Sequence, residues 1–450
     1  MTHQESVLVG NLRNYIRRKK MRIVELTEST RKNVLNDLLK RSPNNYTEYE
    51  DKVAGILANV KEKGDEALFA YTLEYDKFRL TPENIRVTEE EIREAYARMD
   101  PELVEVMKRS AANIRAFHEK QLRNSWFDTR EDGSILGMRI TPIGRVGVYV
   151  PGGKAAYPSS VLMNVIPARV AGVPDILMTT PPNADGKVNP GTLVAADIAG
   201  VNAIYKAGGA QAIAAMAYGT RSIPKVDKIT GPGNIYVALA KKAVYGYVSI
   251  DSIAGPSEIL VLADETANPR YVAADLLSQA EHDELASAIL ITTSRELAQQ
   301  VSRQVDDFVA RLSRREIMEK SLENYGYILL AESMDDAIEA ANDIASEHLE
   351  ILTGNPFETM TRIKNAGAVF LGEYSSEPLG DYYAGPNHIL PTNGTARFFS
   401  PVNVDDFVKK TSIISYSREA LQAVHQDIEK FAESEGLTAH ANSIKVRFEK

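Results

Sequence analysis

The apolar residues that follow the first fifty positions recur at helical spacing. The series consists of Val53, Ile56, Leu57, Val60, Ala67, Leu68 and Tyr71. Intervals of three and four are typical of an amphipathic helix, and Gly64 interrupts the run, which predicts a pair of helices with a break there. Pro101 opens a second long helical run, because proline is well accommodated in a first turn. The N-terminal part of the chain is therefore expected to be helical.

From about Gly137 the pattern changes to short β-branched runs that alternate with alanine-rich stretches. The runs are VGVYV, DILMTT and AIYK, and further on EILVLAD, AILITT and GAVFLGE. Strands alternating with helices of this length indicate βαβ units, whose parallel sheets carry helices on both faces. The pattern predicts an α/β fold with two related parallel-sheet domains, divided by a Gly/Pro-rich passage from TGPGN at Thr230 to AGPSE at Ala254.

Glycines stand where several of these strands give way to helices. They form the turns Gly152–Gly153, Gly208–Gly209 and Gly231–Gly233. Glycine permits close backbone approach, and a helix N-terminus presents free N–H groups to a phosphate. Such turns suit a dinucleotide laid along the strand ends, although none has the G-x-G-x-x-G pattern. From the glycines alone, nucleotide binding and simple tight turns are equally open interpretations.

Four of the seven histidines fall in four short segments between Gln279 and His440, each close to an acid or an amide. These pairs are Gln279 and His282, Glu347 and His348, Asp381 and His388, and Glu435 and His440. Gln279 and His282 would share one helix face, and Asp381 and His440 complete a nitrogen and oxygen shell that zinc accepts without thiolates. The cluster predicts a metal and proton-transfer site. In isolation, Glu347–His348 would be interpreted as an incidental acid and histidine at a helix end.

Composition narrows the function classes. A chain of 450 residues suggests two or more domains, and a net charge of -9 argues against a nucleic-acid partner. The absence of cysteine excludes disulfides, thiolate ligands and cysteine nucleophiles. No apolar run approaches the roughly 20 residues that span a bilayer, and the first twenty residues lack the apolar core of a secretory signal. We expect a cytoplasmic protein with a small-molecule substrate.

Several motifs are similar to those of one known family. They are GRVGVYVPGG, GGAQAIAAMAYGT, TGPGNIYVALAKK, DSIAGPSEILVLAD, SQAEHD, SEHLE, YAGPNHILPT and LTAHANS. From about Met21 to Arg447 the chain resembles the histidinol dehydrogenases. The resemblance implies a zinc-dependent, four-electron oxidation of L-histidinol to L-histidine through L-histidinal, with two NAD+ consumed, as the last step of histidine biosynthesis.

The resemblance also implies a role for each site residue. The zinc ligands would be Gln279, His282, Asp381 and His440. The catalytic proton-transfer residues would be Glu347 and His348. The substrate contacts would be Ser257, His348, Asp381 and Glu435, with Glu377 and His388 beside them and the zinc ligands holding the substrate through the ion. The NAD contacts would be Tyr149, Gln211 and Asn234.

The resemblance further implies a homodimer with one zinc per subunit and shared active sites, in which Glu435 and His440 complete the partner's site. The expected fold has two Rossmann-like parallel-sheet domains without G-x-G-x-x-G, a helical N-terminal segment and an extended C-terminal segment. The expected divisions are an extension and arm over 1–40, a catalytic α/β domain over 41–148 with 258–402, an NAD-binding domain over 149–257, and a dimer-crossing segment over 403–450.

Two other functions stay open from the sequence. The nearer is a related zinc and NAD alcohol dehydrogenase that acts on another polar alcohol, such as a sulfonated diol. The cationic amine and the imidazole of histidinol are suited to Glu377, His388 and Glu435. These residues therefore argue against a sulfonated diol as the substrate. The further alternative is a zinc hydrolase or a non-catalytic metal-binding protein. Since aldehyde oxidation often uses a thiol adduct and the chain has no cysteine, four-electron oxidation requires a hydrated aldehyde.

Overall fold

The computed structural model of the protein describes residues 21–41, 47–152 and 157–449. The predicted arm at 1–20 and Gly153 of the first glycine turn lie outside these ranges. The strands are β1 (Arg22–Glu25), β2 (Trp126–Thr129), β3 (Ile135–Pro142), β4 (Arg145–Tyr149), β5 (Asp175–Thr180), β6 (Ala203–Lys206), β7 (Lys228–Thr230), β8 (Ser249–Ile250), β9 (Glu258–Ala263), β10 (Ser287–Thr292), β11 (Gly326–Leu330), β12 (His348–Leu352), β13 (Ala368–Leu371) and β14 (Val408–Ser415).

Helices connect most of these strands. They are α1 (Glu28–Leu39), α2 (Thr47–Lys63), α3 (Asp65–Asp76), α4 (Glu89–Arg98), α5 (Pro101–Glu119), α6 (Pro158–Val170), α7 (Pro190–Ala199), α8 (Gly209–Tyr218), α9 (Ile235–Val244), α10 (Pro269–Ala280), α11 (Arg295–Val309), α12 (Arg315–Tyr325), α13 (Met334–Ile344), α14 (Pro356–Met360), α15 (Glu377–Leu379), α16 (Arg418–Ser434) and α17 (Thr438–Lys445). None of the described helices is long and apolar enough to span a membrane.

The strands form two parallel sheets and one antiparallel sheet. The larger parallel sheet has the order β1-β11-β10-β9-β12-β13, and the smaller has the order β6-β5-β4-β7-β8. The antiparallel sheet β14-β3-β2 joins the C-terminal segment to an early hairpin. Both parallel sheets are covered by helices on their two faces, as the near-continuous apolar strands require. The predicted α/β class with two parallel sheets is confirmed.

The predicted helix boundaries in the N-terminal part are also confirmed. Helix α2 ends at Lys63 and α3 begins at Asp65, with Gly64 between them at φ +57°. Helix α5 begins at Pro101, and the side chain of Asp100 caps it by accepting a hydrogen bond from the backbone N–H of Glu102. Local sequence signals of this kind need no tertiary context to be effective.

The packing of the N-terminal helices differs from the predicted grouping of 41–148 with 258–402. Helices α2 and α3 share a core with α8 and α9 on one face of the five-stranded sheet, and α4 and α5 share one with α6 and α7 on the other. Strand β4 is the central strand of that sheet, so a division between 148 and 149 would cut it. Strand β1 and α1, which were assigned to an extension over 1–40, complete the edge and one face of the larger sheet. Apolar periodicity predicts that a helix buries one face but does not tell which sheet covers it.

Candidate active site

A cavity of about 1310 Å³ lies between the two parallel sheets. The carboxyl ends of β4, β6 and β7 approach it from one side, and the amino ends of β9 and β12 from the other. Ten of the residues predicted to act in the site line it: Tyr149, Gln211, Asn234, Ser257, Gln279, His282, Glu347, His348, Asp381 and His388. Segments distant in sequence therefore meet at one crevice.

Glu347 and His348 are both anchored to the peptide of Glu258 on the neighbouring strand. The backbone N–H of Glu258 donates to Oε2 of Glu347 at 2.9 Å, and its carbonyl oxygen lies 3.1 Å from Nδ1 of His348. Because a carbonyl oxygen only accepts, Nδ1 carries the proton of the neutral ring. Nε2 is then the basic nitrogen. It is buried without a hydrogen-bond partner in the described chain, and it lies 3.9 Å from Oδ1 of Asp381.

The side chain of Glu258 is held by Arg41, a residue that the sequence analysis did not single out. Arg41 is 1% exposed, and it donates to Oε1 of Glu258 at 2.6 Å and to the carbonyl oxygen of Leu285 at 2.7 Å. A buried charge of this kind requires its partner, since removal of one leaves the other uncompensated. Arg41 thereby fixes the residue whose peptide orients both proton-transfer candidates. The sequence contains one indication of this buried ion pair, because Glu258 is an acid at the first position of an otherwise apolar strand.

Asp381 and His388 approach each other across a short loop. Asp381 lies in a single π-helical turn, Gly380–Ala384, a distortion that is frequent at functional sites. Nδ1 of His388 lies 3.1 Å from the carbonyl oxygen of Asp381 and 3.6 Å from its Oδ1. Nε2 of His388 lies 3.4 Å from Oγ of Ser160. Both ring nitrogens of His388 thus have neighbours within the protein, which favours an orienting role over metal ligation.

A group of possible metal ligands surrounds Asp381. One ligand atom from each of His282, Glu377 and Asp381 lies within 4.8 Å of the others. Gln279 lines the same cavity, and its Oε1 is buried without a hydrogen-bond partner among the described residues. An orphaned buried oxygen beside an imidazole and a carboxylate fits a zinc ion, which accepts nitrogen and oxygen ligands. The sequence pattern did not place Glu377 this close to the ligands.

The buried acids and imidazoles perturb one another strongly. Burial raises the pKa of Glu347 to about 7, and burial together with the charge of Asp381 raises the pKa of Glu377 to about 8. Burial alone would lower the pKa of His348, but Glu347 and Asp381 raise it to about 10. Burial likewise opposes ionisation of Asp381, yet His348 and His388 lower its pKa to about 2. Perturbations of this size in a cleft are typical of a functional site.

The glycine turns form the opposite wall of the cavity. A Cβ at Gly208 would meet the ring of Pro181 at 2.5 Å, and one at Gly231, where φ is +120°, would collide with the carbonyl oxygen of Tyr149. The backbone N–H of Gly209 donates to the hydroxyl of Tyr149 at 3.1 Å. These turns precede α8 and α9, whose amino ends face the cavity. A glycine cradle before two helix N-termini fits a pyrophosphate.

A buried ion pair supports the second of these turns. Lys241 and Asp251 are each 2% exposed at the side chain and form a salt bridge. Nζ of Lys241 donates to the carbonyl oxygen of Gly231 at 2.9 Å, and Oδ2 of Asp251 accepts from its backbone N–H at 2.8 Å. The side chain of Asn234 caps α9 by accepting hydrogen bonds from the backbone N–H groups of Tyr236 and Val237. The turn is thus fixed before any nucleotide is bound.

Comparison with known proteins identifies the family. A profile described as histidinol dehydrogenase matches residues 39–448. The chain is 56% identical over 411 residues to the histidinol dehydrogenase of Clostridium acetobutylicum, an alignment that covers 91% of this chain and 95% of that protein. The chain belongs to the histidinol dehydrogenase family. The histidinol dehydrogenase of Bacillus subtilis is 57% identical over 410 residues, which cover 91% of this chain and 96% of that one.

The fold supports the same membership. The crystal structure of histidinol dehydrogenase from Elizabethkingia anophelis superposes with a TM-score of 0.89 at 40% identity, over 95% of this chain and 98% of that one. As a member of the histidinol dehydrogenase family, the chain is an oxidoreductase of histidine biosynthesis, and membership implies the use of NAD. The resemblance stated from the motifs is confirmed.

Three of the predicted site residues do not line the cavity. Glu377 is buried close to Asp381, and its Oε2 accepts a hydrogen bond from Oγ of Ser278 at 2.8 Å. Glu435 and His440 are exposed near the junction of α16 and α17 and do not line the cavity. Within one described chain, the ligand set predicted for zinc therefore has three members at the cavity and one outside it.

Proposed function

We propose that the protein oxidises L-histidinol to L-histidine through L-histidinal, in a zinc-dependent four-electron reaction that reduces two NAD+. One observation carries the proposal above all. The basic nitrogen of His348, 3.9 Å from Asp381, faces a cavity that is lined on one side by candidate zinc ligands and on the other by glycine turns suited to NAD+. A base, a metal site and a hydride acceptor would then meet at one crevice.

Gln279, His282 and Asp381 would hold the zinc ion together with His440. The ion would supply a Lewis acid that binds and orients the amine and imidazole nitrogens of the substrate. Asp381 is one of the carboxylates that raise the pKa of His348 to about 10. A dication that offset the charge of Asp381 would lower the pKa of His348 toward the range in which a general base operates.

In the first oxidation, His348 would accept the hydroxyl proton of histidinol at Nε2. The carbinol carbon passes a hydride to NAD+, which gives histidinal, NADH and one proton. The Nδ1 proton of His348 stays on the carbonyl of Glu258, 3.1 Å away, and so keeps the ring oriented through the transfer. The contact with Glu258 is thus what makes one nitrogen of the ring the base.

In the second oxidation, Glu347 would accept a proton from a water molecule that adds to the aldehyde. Burial raises the pKa of Glu347 to about 7, close to the value suited to a general base at neutral pH. The hydrate then passes a second hydride to a second NAD+, which gives the carboxylate of histidine, NADH and protons. Because the chain has no cysteine, no thiol adduct of the aldehyde can form.

The charge of the site favours histidinol over a sulfonated diol. Glu347 and Asp381 line the metal side of the cavity, with Glu377 beside Asp381. Burial raises the pKa values of Glu347 and Glu377 to about 7 and about 8, and a cationic substrate group nearby would favour the ionised form of all these acids. An ammonium or imidazole group of a substrate would be attracted to them, whereas a sulfonate would be repelled. The related alcohol dehydrogenase remains the second candidate, and substrate charge separates the two.

We further propose a homodimer that shares its active sites. Helices α16 and α17 and the sheet β14-β3-β2 expose large apolar side chains, among them Ile414 at 74%, Phe431 at 70% and Phe127 at 60%. Exposed apolar groups of this density are typical of an association surface. A second copy packed there would bring Glu435 and His440 to the partner's cavity, with one zinc ion for each subunit.

Removal of the metal is expected to abolish histidinol oxidation and to lower thermal stability. A dication that binds only the folded state stabilises it, and its loss removes the link between the side chains of Gln279, His282 and Asp381. Dialysis against a chelator should reduce NADH formation by at least about 100-fold, and zinc should restore it. Asp381→Asn should lose the bound metal, as measured by elemental analysis, while Asp51→Asn on the exposed face of α2 should retain it. Full activity without metal would contradict the zinc assignment.

A further inference from the structure

Asp76, the last residue of α3, carries a buried carboxylate oxygen without a partner. Its Oδ2 is shielded from solvent and accepts no hydrogen bond from any described residue. Burial raises the pKa of the carboxyl group to about 6, and no cation in the described part of the chain lowers it. An acid at the carboxyl end of a helix also meets the negative end of the helix dipole. In the ligand-free protein this side chain is therefore destabilising at neutral pH.

The carboxylate lies at the nucleotide side of the cavity. Asp76 lines the cavity together with Tyr149, and its charge adds to burial in raising the pKa of Tyr149 to about 12. The hydroxyl of Tyr149 in turn accepts the hydrogen bond from Gly209 at the start of α8. Asp76 thus borders the glycine turn that suits the pyrophosphate of NAD+.

Aromatic rings enclose the same end of the cavity. Nζ of Lys52 lies 5.3 Å from the ring centroids of both Tyr75 and Tyr236, and all three residues line the cavity. Flat aromatic surfaces beside a phosphate-binding turn suit a purine base. Lys52 contacts these rings, and among the described residues it does not form an ion pair with Asp76. This end of the cavity therefore suits the adenosine half of the dinucleotide.

Few groups of NAD+ can donate a hydrogen bond to a carboxylate. The carboxamide and the hydroxyls of one ribose belong to the nicotinamide end, which must reach His348 across the crevice. The adenosine end offers the adenine amino group and the two adjacent ribose hydroxyls. A paired diol is the usual partner of an acid in dinucleotide sites. A 2′-phosphate in the same place would oppose a charge that no described cation compensates.

We propose that Asp76 accepts hydrogen bonds from the adenosine ribose hydroxyls of NAD+, and that its charge excludes the 2′-phosphate of NADP+. The inference rests on the proposed use of NAD+ and names the residue that selects between the two nucleotides.

The test is calorimetric titration of the zinc-loaded protein with NAD+ and with NADP+, without histidinol. Asp76→Ala should raise the Kd for NAD+ on the order of 10-fold, the usual effect of losing a hydrogen bond to a charged group. Asp76→Asn should reduce the ratio of the Kd for NADP+ to the Kd for NAD+ by about 10-fold. Glu62→Gln, an exposed acid on the neighbouring helix α2, removes the same charge and should leave both Kd values unchanged.

The outcomes separate the inference from the proposed function. If the unaltered protein binds neither nucleotide, the proposed use of NAD+ fails. If it binds NAD+ and Asp76→Ala binds it equally well, only the assignment of Asp76 fails. If Asp76→Ala weakens NAD+ and NADP+ by the same factor, the contact is with a group that both nucleotides share, such as the adenine amino group, and the selection by charge is overturned.

Thermal unfolding gives a second readout. The pKa of Asp76 in the folded state, about 6, lies above its ordinary value of 3.8. The folded state therefore holds the proton more tightly, so stability is lost as pH rises through this window and the loss is complete above the folded pKa. Asp76→Asn should raise the Tm of the ligand-free protein at pH 7.5 more than at pH 4, and should reduce the gain in Tm produced by NAD+. A lower Tm for Asp76→Asn at pH 7.5 would mean that the carboxylate stabilises the ligand-free fold. That result would contradict the proposal that the carboxylate is unpaired until a ligand binds.

Discussion

His348→Ala is expected to slow the oxidation of histidinol to histidinal by roughly 10²- to 10⁴-fold, the usual contribution of a positioned general base. The large effect follows from the absence of a second base in the same position. Nε2 is the unpartnered nitrogen that faces Asp381, while Glu347 is tied to the backbone N–H of Glu258. Single-turnover measurement of the first NADH isolates this step, and bound zinc should stay unchanged.

Glu347→Gln is the matched comparison, since it keeps the shape of the side chain and removes its basicity. It should chiefly impair the oxidation of histidinal, because the carboxylate is assigned to the hydration of the aldehyde. Each half-reaction can be measured by supplying histidinol or histidinal as the starting substrate. Equal losses in both half-reactions for both variants would show that the two residues act as one unit, contrary to the division of roles.

His440→Asn is expected to be inactive alone, but activity should return when this variant is combined with Asp381→Asn in one dimer. His440→Asn should abolish zinc binding in the partner's site, and Asp381→Asn should abolish it in its own. In a mixed dimer one site combines the intact Asp381 of one chain with the intact His440 of the other. Co-expression with free exchange should therefore restore about a quarter of the wild-type activity, since about half of the dimers are mixed and each has one complete site.

The exposure of His440 and its distance from the cavity wall motivate this experiment. Two controls sharpen it. Pairing His440→Asn with itself should restore nothing. Pairing it with Glu435→Gln should restore nothing beyond the activity of each variant, because both substitutions lie in the crossing segment and each site of the mixed dimer still receives one substituted segment. Absence of any recovery with Asp381→Asn, in dimers proved to be mixed, would assign His440 to its own chain or to no site at all.

The elements of the fold could be predicted because their signals are local. The break at Gly64, the start of α5 at Pro101 and the strand runs from VGVYV to GAVFLGE were all recognisable from spacing and turn residues. The grouping of the N-terminal helices could not be derived in the same way. The apolar face of α2 contacts α8 and α9, and a periodic stripe contains no information about which partner buries it.

The chemistry of the site could be predicted from the sequence. The residues that hold or complement the site residues could be predicted only in part. Histidines next to acids or amides pointed to the cavity residues, because metal ligation and proton transfer use imidazole, amide and carboxylate side chains in combination. Arg41 and Asp76 gave no such signal, since an isolated arginine or aspartate near a helix end resembles an ordinary surface residue. Their roles depend on burial, and burial depends on how segments more than 200 positions apart come together, as Arg41 and Glu258 do with a separation of 217.

The central claim is that one site carries out both oxidations of histidinol. The most direct measurement is the ratio of NADH formed to histidinol consumed, followed by absorbance of the reduced nicotinamide with zinc-loaded protein and limiting histidinol, together with chromatographic identification of the product. The account predicts two NADH for each histidinol and histidine as the product, with no histidinal released. A ratio of one with histidinal as the end product would contradict it, because the protein would then be a simple alcohol dehydrogenase.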